Sequence, residues 1–177
     1  DLWAKGGSGN YSLTVHKEDG SGNPVKGAEY QLLNRNQQPV KKNNVPITAV
    51  TNDNGDAVFN NLPSWVLYAQ EVTPPEGYLI NEELIGGNKL SGNLTYSTND
   101  LPAVGKVELA KISASGVKLS GGEFTLVGTD YANNIITRTA KSVKGTVTFE
   151  NIPLGTYKIT ETKAPNGYYL TDEEISV

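Results

Sequence analysis

The chain has 177 residues, room for one large or two small domains, and neither cysteine nor methionine, so no disulfide supports whatever core it forms. Its net charge of −4 comes without a basic cluster, which argues against a nucleic-acid partner, and no apolar run is long enough to cross a bilayer as a helix. Plentiful glycine (19) and proline (9) suit short strands and frequent turns rather than long helices.

Residues 1–9, DLWAKGGSG, read as a flexible leader in which Trp3 is incidental, and Asp1 reads as the start of a mature or trimmed product. Strand signals begin at Tyr11. Tyr11, Leu13, Val15 and Lys17 share one face, and Ser12, Thr14 and His16 share the other. A lysine closing an apolar row ordinarily sends its amine out to water. Here the arrangement recurs, because Val107, Leu109 and Lys111 repeat it.

That recurrence is part of a tandem duplication. At an offset of 94 residues Lys17 matches Lys111, Val25 matches Leu119, Glu29 matches Glu123, Tyr30 matches Phe124 and Leu32 matches Leu126. After a loop of different length the offset is 90. Phe59 then matches Phe149, Asn61-Leu62-Pro63 matches Asn151-Ile152-Pro153, and Gly77-Tyr78 matches Gly167-Tyr168. Within each copy one strand carries an acid on its apolar side: Leu67, Ala69, Glu71 in the first, Tyr157, Ile159, Glu161 in the second. A carboxylate there is costly unless something satisfies it, and placing it twice points to a purpose.

Between these landmarks, Asn34–Asn54 and its shorter counterpart Tyr131–Lys144 read as loops and edge strands. Glu82-Glu83-Leu84-Ile85 reads as a helical turn ended by Gly86-Gly87, and Leu94, Tyr96 and Thr98 as a last strand. The alternation predicts an all-β protein of two tandem β-sandwich domains, 10–102 and 103–177. The second copy's equivalent of Asn99 falls beyond Val177, so that domain is expected to lack its last strand. Either the chain was cut there or a strand from another chain fills the sheet edge. His16 reads as a solvated strand residue with no Ser-His-Asp set around it. Asp53, Asn54 and Asp56 straddle a turn glycine rather than forming a metal site, and no metal or other cofactor is expected.

The segments PVKGAEYQL and KLSGGEFTL, with GDAVFNNLPSWVLYAQEVTPPEGY and GTVTFENIPLGTYKITETKAPNGY, resemble the Cna protein B-type (SpaA-like) domains of Gram-positive pilins and surface adhesins. The likeness covers nearly all of residues 11–177 and is closer in the second copy. The first has Trp65 for the usual turn glycine, Leu67 for the tyrosine and Pro74 for the alanine. The resemblance implies Ig-like or prealbumin-like sandwiches carrying a self-formed isopeptide bond. Lys17 would be the nucleophile, Glu71 the assisting acid and Asn99 the acceptor, with Lys111 and Glu161 in the same roles in the second domain, where no acceptor lies within the chain. Strict alternation sets Asn99 with Thr95 and Ser97, away from Leu94 and Tyr96. Asp100 therefore has the better parity, and Asn99 needs a bulge.

The chemistry has its own logic. Burial in an apolar core lowers a lysine pKa and raises that of a carboxyl, so a neutral amine can meet a polarised carbonyl at very high effective concentration. The reaction happens once, so the chain is expected not to be an enzyme in the sense of turning over a substrate. The resemblance further implies an extracellular, cell-wall-attached stalk or pilus protein, its anchor outside this chain, with other pilin or adhesin subunits and host extracellular matrix as partners. Leu101-Pro102-Ala103-Val104-Gly105 is similar to a sortase motif but has Val104 where threonine is needed, and reads as a linker. The alternative is a module binding a host protein or glycan, which Trp65, Tyr168 and Tyr169 gathered on an open face would favour.

Overall fold

The computed structural model describes residues 9–177; all of the expected leader except Gly9, Trp3 included, lies outside the described residues. Among the described residues there are fifteen strands and no helix. The first compact unit runs to Pro102 and the second is Ala103–Val177.

In unit 1, β1 (Tyr11–Glu18) is central in a three-stranded sheet between antiparallel β6 (Asp56–Leu62) and parallel β9 (Leu94–Asn99). The facing sheet has the order β5-β2-β7-β8, from Thr48–Val50, Glu29–Leu33, Val66–Thr73 and Ile85–Lys89. A small hairpin, β3 (Lys41–Lys42) and β4 (Val45–Pro46), lies in the long polar stretch. Alternation puts Leu13 and Val15 of β1 and Ala57 and Phe59 of β6 inward. They meet Tyr30, Leu32, Leu67 and Ala69 of the other sheet in one buried core. The result is a two-layer sandwich, as the period-2 pattern requires.

Unit 2 repeats the plan with β10 (Val104–Ala110) and β13 (Thr146–Pro153) against the sheet β12-β11-β14-β15, from Ile135–Lys141, Glu123–Asp130, Gly155–Lys163 and Glu174–Ser176. Its core is Phe124, Leu126, Val147, Phe149, Ile152, Tyr157 and Ile159. The repeat extends to backbone detail: Asn61 and Asn151 take the same left-handed conformation (φ 57° and 53°), which asparagine tolerates better than most residues. β15 pairs with β14 as β8 pairs with β7, and no counterpart of β9 exists among the described residues.

One expectation fails. Residues 81–84 form no helical turn; they are irregular, and Ile85 opens β8. Gly86 and Gly87 belong to that strand with φ of 101° and 94°. A Cβ on Gly86 would stand 2.8 Å from the Leu67 carbonyl oxygen, so the pair of glycines permits close, irregular pairing with β7 instead of ending a helix.

Candidate functional site

The apolar row of β1 ends in Lys17, at the point where the strand leaves β6. Its backbone N–H donates to the Gly55 carbonyl (2.8 Å), and its own carbonyl accepts from Val25 (2.9 Å). These bonds keep the strand extended, so the side chain follows Leu13 and Val15 into the core, where it is fully buried. There Nζ donates to the Tyr30 hydroxyl at 2.9 Å and lies 3.0 Å from Glu71 Oε1 and 3.4 Å from Asp100 Oδ2. Glu71 continues the inward row of β7 and sits opposite Tyr30 in the β2–β7 register. Its Oε2 accepts the Asn81 backbone N–H at 2.7 Å. Asp100 follows β9 directly, and its N–H donates to the Glu18 carbonyl (2.8 Å), which extends the ladder by one residue and turns the carboxyl inward.

The place expected for Asn99 is therefore held by Asp100. Asn99 is exposed, opposite Glu18, and its carbonyl accepts from the Asn81 amide. The β1–β9 register runs from Leu13↔Leu94 to Glu18↔Asn99 one residue for one residue. The bulge that Asn99 needed is absent, and side-chain parity decides the matter.

One amine thus faces two carboxyl groups out of water. Burial pushes the Asp100 carboxyl up to about 6, with the Glu71 carboxylate adding to the rise and the Lys17 charge opposing it. For Lys17, burial alone would lower the amine, as expected from sequence. The Tyr30 hydroxyl, the Glu71 carboxylate and the Asp100 charge outweigh it, and the amine is raised above its ordinary value. The site can hold an ammonium, a carboxylate and a neutral carboxyl, with no net charge. Neither Asp100 oxygen has a hydrogen-bond partner, although both are buried. Such a group is normally satisfied or reactive.

Sequence reasoning missed Tyr30 and Asn81. Tyr30 was visible only as an inward aromatic matched to Phe124, and no pattern marked Asn81.

In unit 2, Lys111 Nζ donates to Glu161 Oε2 at 2.9 Å. Phe124 takes the place of Tyr30, its ring centroid 5.9 Å from the amine, and supplies no hydroxyl. The Lys111 side chain keeps 18% exposure while that of Glu161 has none. Glu161 Oε1 is buried without a partner.

The model of the SpaA prealbumin-like fold domain matches this chain twice, over residues 11–86 and 105–177. The chain belongs to that family. SpaA-type domains are structural rather than enzymatic, and here they form the tandem all-β sandwiches described above. Among solved structures, the Bacillus anthracis TIE protein is similar over 97% of this chain and 31% of its own, at 24% identity and a TM-score of 0.69. A streptococcal ancillary pilin matches over 94% of this chain and 57% of its own (20% identity, TM-score 0.47). A C-terminal fragment of the pilus adhesin SpaC from Lactobacillus rhamnosus GG matches over 94% and 80% (18%, 0.48). This chain thus spans about a third of the first of these structures and somewhat over half of the second. No curated protein matches.

Elsewhere in the first SpaA-type domain, His16 is more engaged than a solvated strand residue. Its Nδ1 lies 2.6 Å from Asp56 Oδ1 and its Nε2 3.0 Å from Glu18 Oε1. Hydrogen bonds to those two carboxylates, Asp56 first, raise the imidazole above its ordinary value against the opposing effect of burial. Asp53 pairs with Lys26 and Asp56 with His16, and no group of three or more histidines and acids suited to a metal occurs among the described residues. Trp65 packs against the first core, whereas Tyr168 and Tyr169 are exposed in the second domain.

Proposed function

We propose that the chain is a pair of structural domains from a Gram-positive cell-surface stalk or pilus, the first locked by an amide between Lys17 and Asp100. The observation that carries this reading is the fully buried Lys17–Glu71–Asp100 cluster, with both Asp100 oxygens lacking hydrogen bonds. Starting from the Lys17 ammonium, the Glu71 carboxylate and the protonated Asp100, Glu71 takes one proton. The amine attacks the Asp100 side-chain carbon, the C–OH bond breaks, and water leaves. The products are a neutral amide and a protonated Glu71, so the site is uncharged before and after, which a dry core requires. Holding the three groups in contact supplies the effective concentration that an uncatalysed amide synthesis lacks. Lys17, Glu71 and Asp100 act once and are not regenerated.

The domains then serve as load-bearing spacers, attached to the cell wall through other parts of the protein, with other pilin or adhesin subunits and host matrix as partners. Intact mass tests the core of this reading. The folded chain should weigh one water less than its sequence, and Lys17→Ala should restore the full mass. A wild-type chain at full mass removes the covalent mechanism. A second reading, recognition of a host protein or glycan, rests on exposed Tyr168 and Tyr169. Adhesion to matrix-coated surfaces that is lost in Tyr169→Ser would favour it.

A further inference from the structure

The amide proposed for unit 1 leaves one proton without a carrier. An ammonium has three protons, and an amide nitrogen keeps one. Glu71 accepts the first of those that must leave. The second has to reach the departing Asp100 oxygen, because a dry core releases water far more readily than hydroxide. A direct hop across the carbon that the two atoms share is sharply bent, whereas a hydrogen-bonded path is nearly straight. Three oxygens surround Nζ: the Tyr30 hydroxyl at 2.9 Å, Glu71 Oε1 at 3.0 Å and Asp100 Oδ2 at 3.4 Å. The last two have their roles, and Tyr30 has none. Its ring is buried in the core, but Phe124 fills the matching place in unit 2 without a hydroxyl, so packing alone does not call for the oxygen. The β2–β7 register sets Tyr30 opposite Glu71. Burial raises the phenol above its ordinary value against the pull of the Lys17 charge, so it keeps its own proton.

We propose that the Tyr30 hydroxyl is a catalytic proton relay in this reaction, taking a proton from the Lys17 nitrogen and passing its own to the oxygen that leaves Asp100. The inference rests on the amide reading of unit 1. Once Glu71 holds the first proton, the neutral amine bonds to the Asp100 side-chain carbon. That bond draws the Asp100 oxygens toward the nitrogen that Tyr30 already touches. In the unlinked site neither oxygen accepts a hydrogen bond, so both are open to a donor. The nitrogen now carries two protons and a positive charge, and the former carbonyl oxygen carries a negative one. Tyr30 accepts one of those protons as its hydroxyl proton moves to the Asp100 OH. The C–OH bond breaks, water departs and the carbonyl re-forms. One proton ends on Glu71, one in the water and one on the amide, and the phenol finishes neutral, as it began. A relay that accepts and donates in one movement adds no ion to the core. The hydroxyl also has an opposite effect. As an acceptor it steadies the ammonium and helps to raise the amine. Its loss would ease the first proton transfer, so the sign of the rate change separates a relay from a partner of the unreacted state alone.

The rate of water loss, followed by intact mass on the full chain refolded from inclusion bodies, tests this role. Tyr30→Phe should link about a hundredfold more slowly than the wild type, the lower end of what a positioned proton-transfer group contributes. Placing 4-aminophenylalanine at Tyr30 through a suppressed stop codon restores a group that both accepts and donates, and should recover most of the rate. Each replacement is also made in the Asp100→Ala chain, which cannot link. There the unit 1 melting transition should stay within a few degrees of the Asp100→Ala parent, so that slow linkage is not poor folding. Tyr30→Phe linking at or above the wild-type rate, the result if Glu71 carries both protons in turn, overturns the inference. So does an amino variant no faster than Tyr30→Phe, or slow linkage that tracks a lost unit 1 transition. The wild type judges the amide reading separately. A wild type at full sequence mass removes that reading and this one with it; a wild type that loses water while Tyr30→Phe keeps pace removes this one alone.

Discussion

Replacing Asp100 with alanine isolates the proposed cross-link. The substitution removes the acceptor but leaves Lys17 paired with Glu71 at 3.0 Å, so no lone buried charge is created. The amide would close a loop of about 84 residues between β1 and the end of β9. The chain-entropy relation used for disulfides assigns such a closure roughly 4.5 kcal/mol at 25 °C. For a domain of this size each kcal/mol moves the midpoint by about 4–8 °C, so the loss corresponds to roughly 20–35 °C. Scanning calorimetry with parallel intact-mass measurement is the assay, because two domains need not melt as one. The expected result is a large downward shift in the unit 1 transition, an unmoved unit 2 transition, and a mass with no water lost. If Asp100→Ala melts within a few degrees of the wild type, or if both proteins carry their full sequence mass, the reasoning is wrong.

Asp100→Asn should still cross-link, now by losing ammonia, so its linked mass should equal that of the wild type although the unlinked masses differ. Glu71→Gln keeps the shape of the site but cannot take the lysine proton; it should accumulate as unlinked chain over the time the wild type takes to finish. For chain refolded from inclusion bodies, linkage should proceed evenly below pH 6 and slow by about tenfold per unit above it, as Asp100 with its pKa of about 6 becomes ionised; a rate that climbs with pH would contradict the proposed protonation states. His16, with its pKa raised by Asp56 and Glu18, binds a proton more tightly folded than unfolded. Its contribution to stability is complete below pH 6.5 and fades as pH rises through the folded value, so His16→Gln should flatten the melting temperature across that window. Gly128→Ala would put a Cβ 2.0 Å from the Thr156 carbonyl oxygen and should destabilise unit 2 alone, read as a lower second transition.

The duplicated fold was legible because it is written in the period of two: every inward residue named on β1, β7 and β14 follows the alternation. Lys17 and Glu71 were legible for the same reason, since each interrupts an apolar row where a polar side chain has to be accounted for. Which side chain would stand beside Lys17 was harder to read, because family position and side-chain parity gave different answers for Asn99 and Asp100, and the ladder turns Asp100 inward. Tyr30 escaped notice because a buried aromatic explains itself by packing; only the coordinates show the hydroxyl 2.9 Å from the amine. The irregular run at 81–84 escaped because two acids before an apolar pair satisfy a helical pattern locally. Instead the Asn81 backbone N–H donates to Glu71, and the Asn81 side-chain amide donates to the Asn99 carbonyl at the end of β9.

The parallel pairing of β1 with β9 has a geometric outcome of its own. Strands that run the same way begin at one end of the sheet and finish at the other, so the chain enters unit 1 beside Leu94 and leaves it beside Glu18. The six paired positions of this ladder span roughly 20 Å. Were the two strands antiparallel, entrance and exit would coincide and the unit would hang from the chain as a side bead. As built, it adds length, and a Lys17–Asp100 junction would route traction along Tyr11–Lys17 and straight across to Asp100, leaving everything folded in between as unstressed cargo.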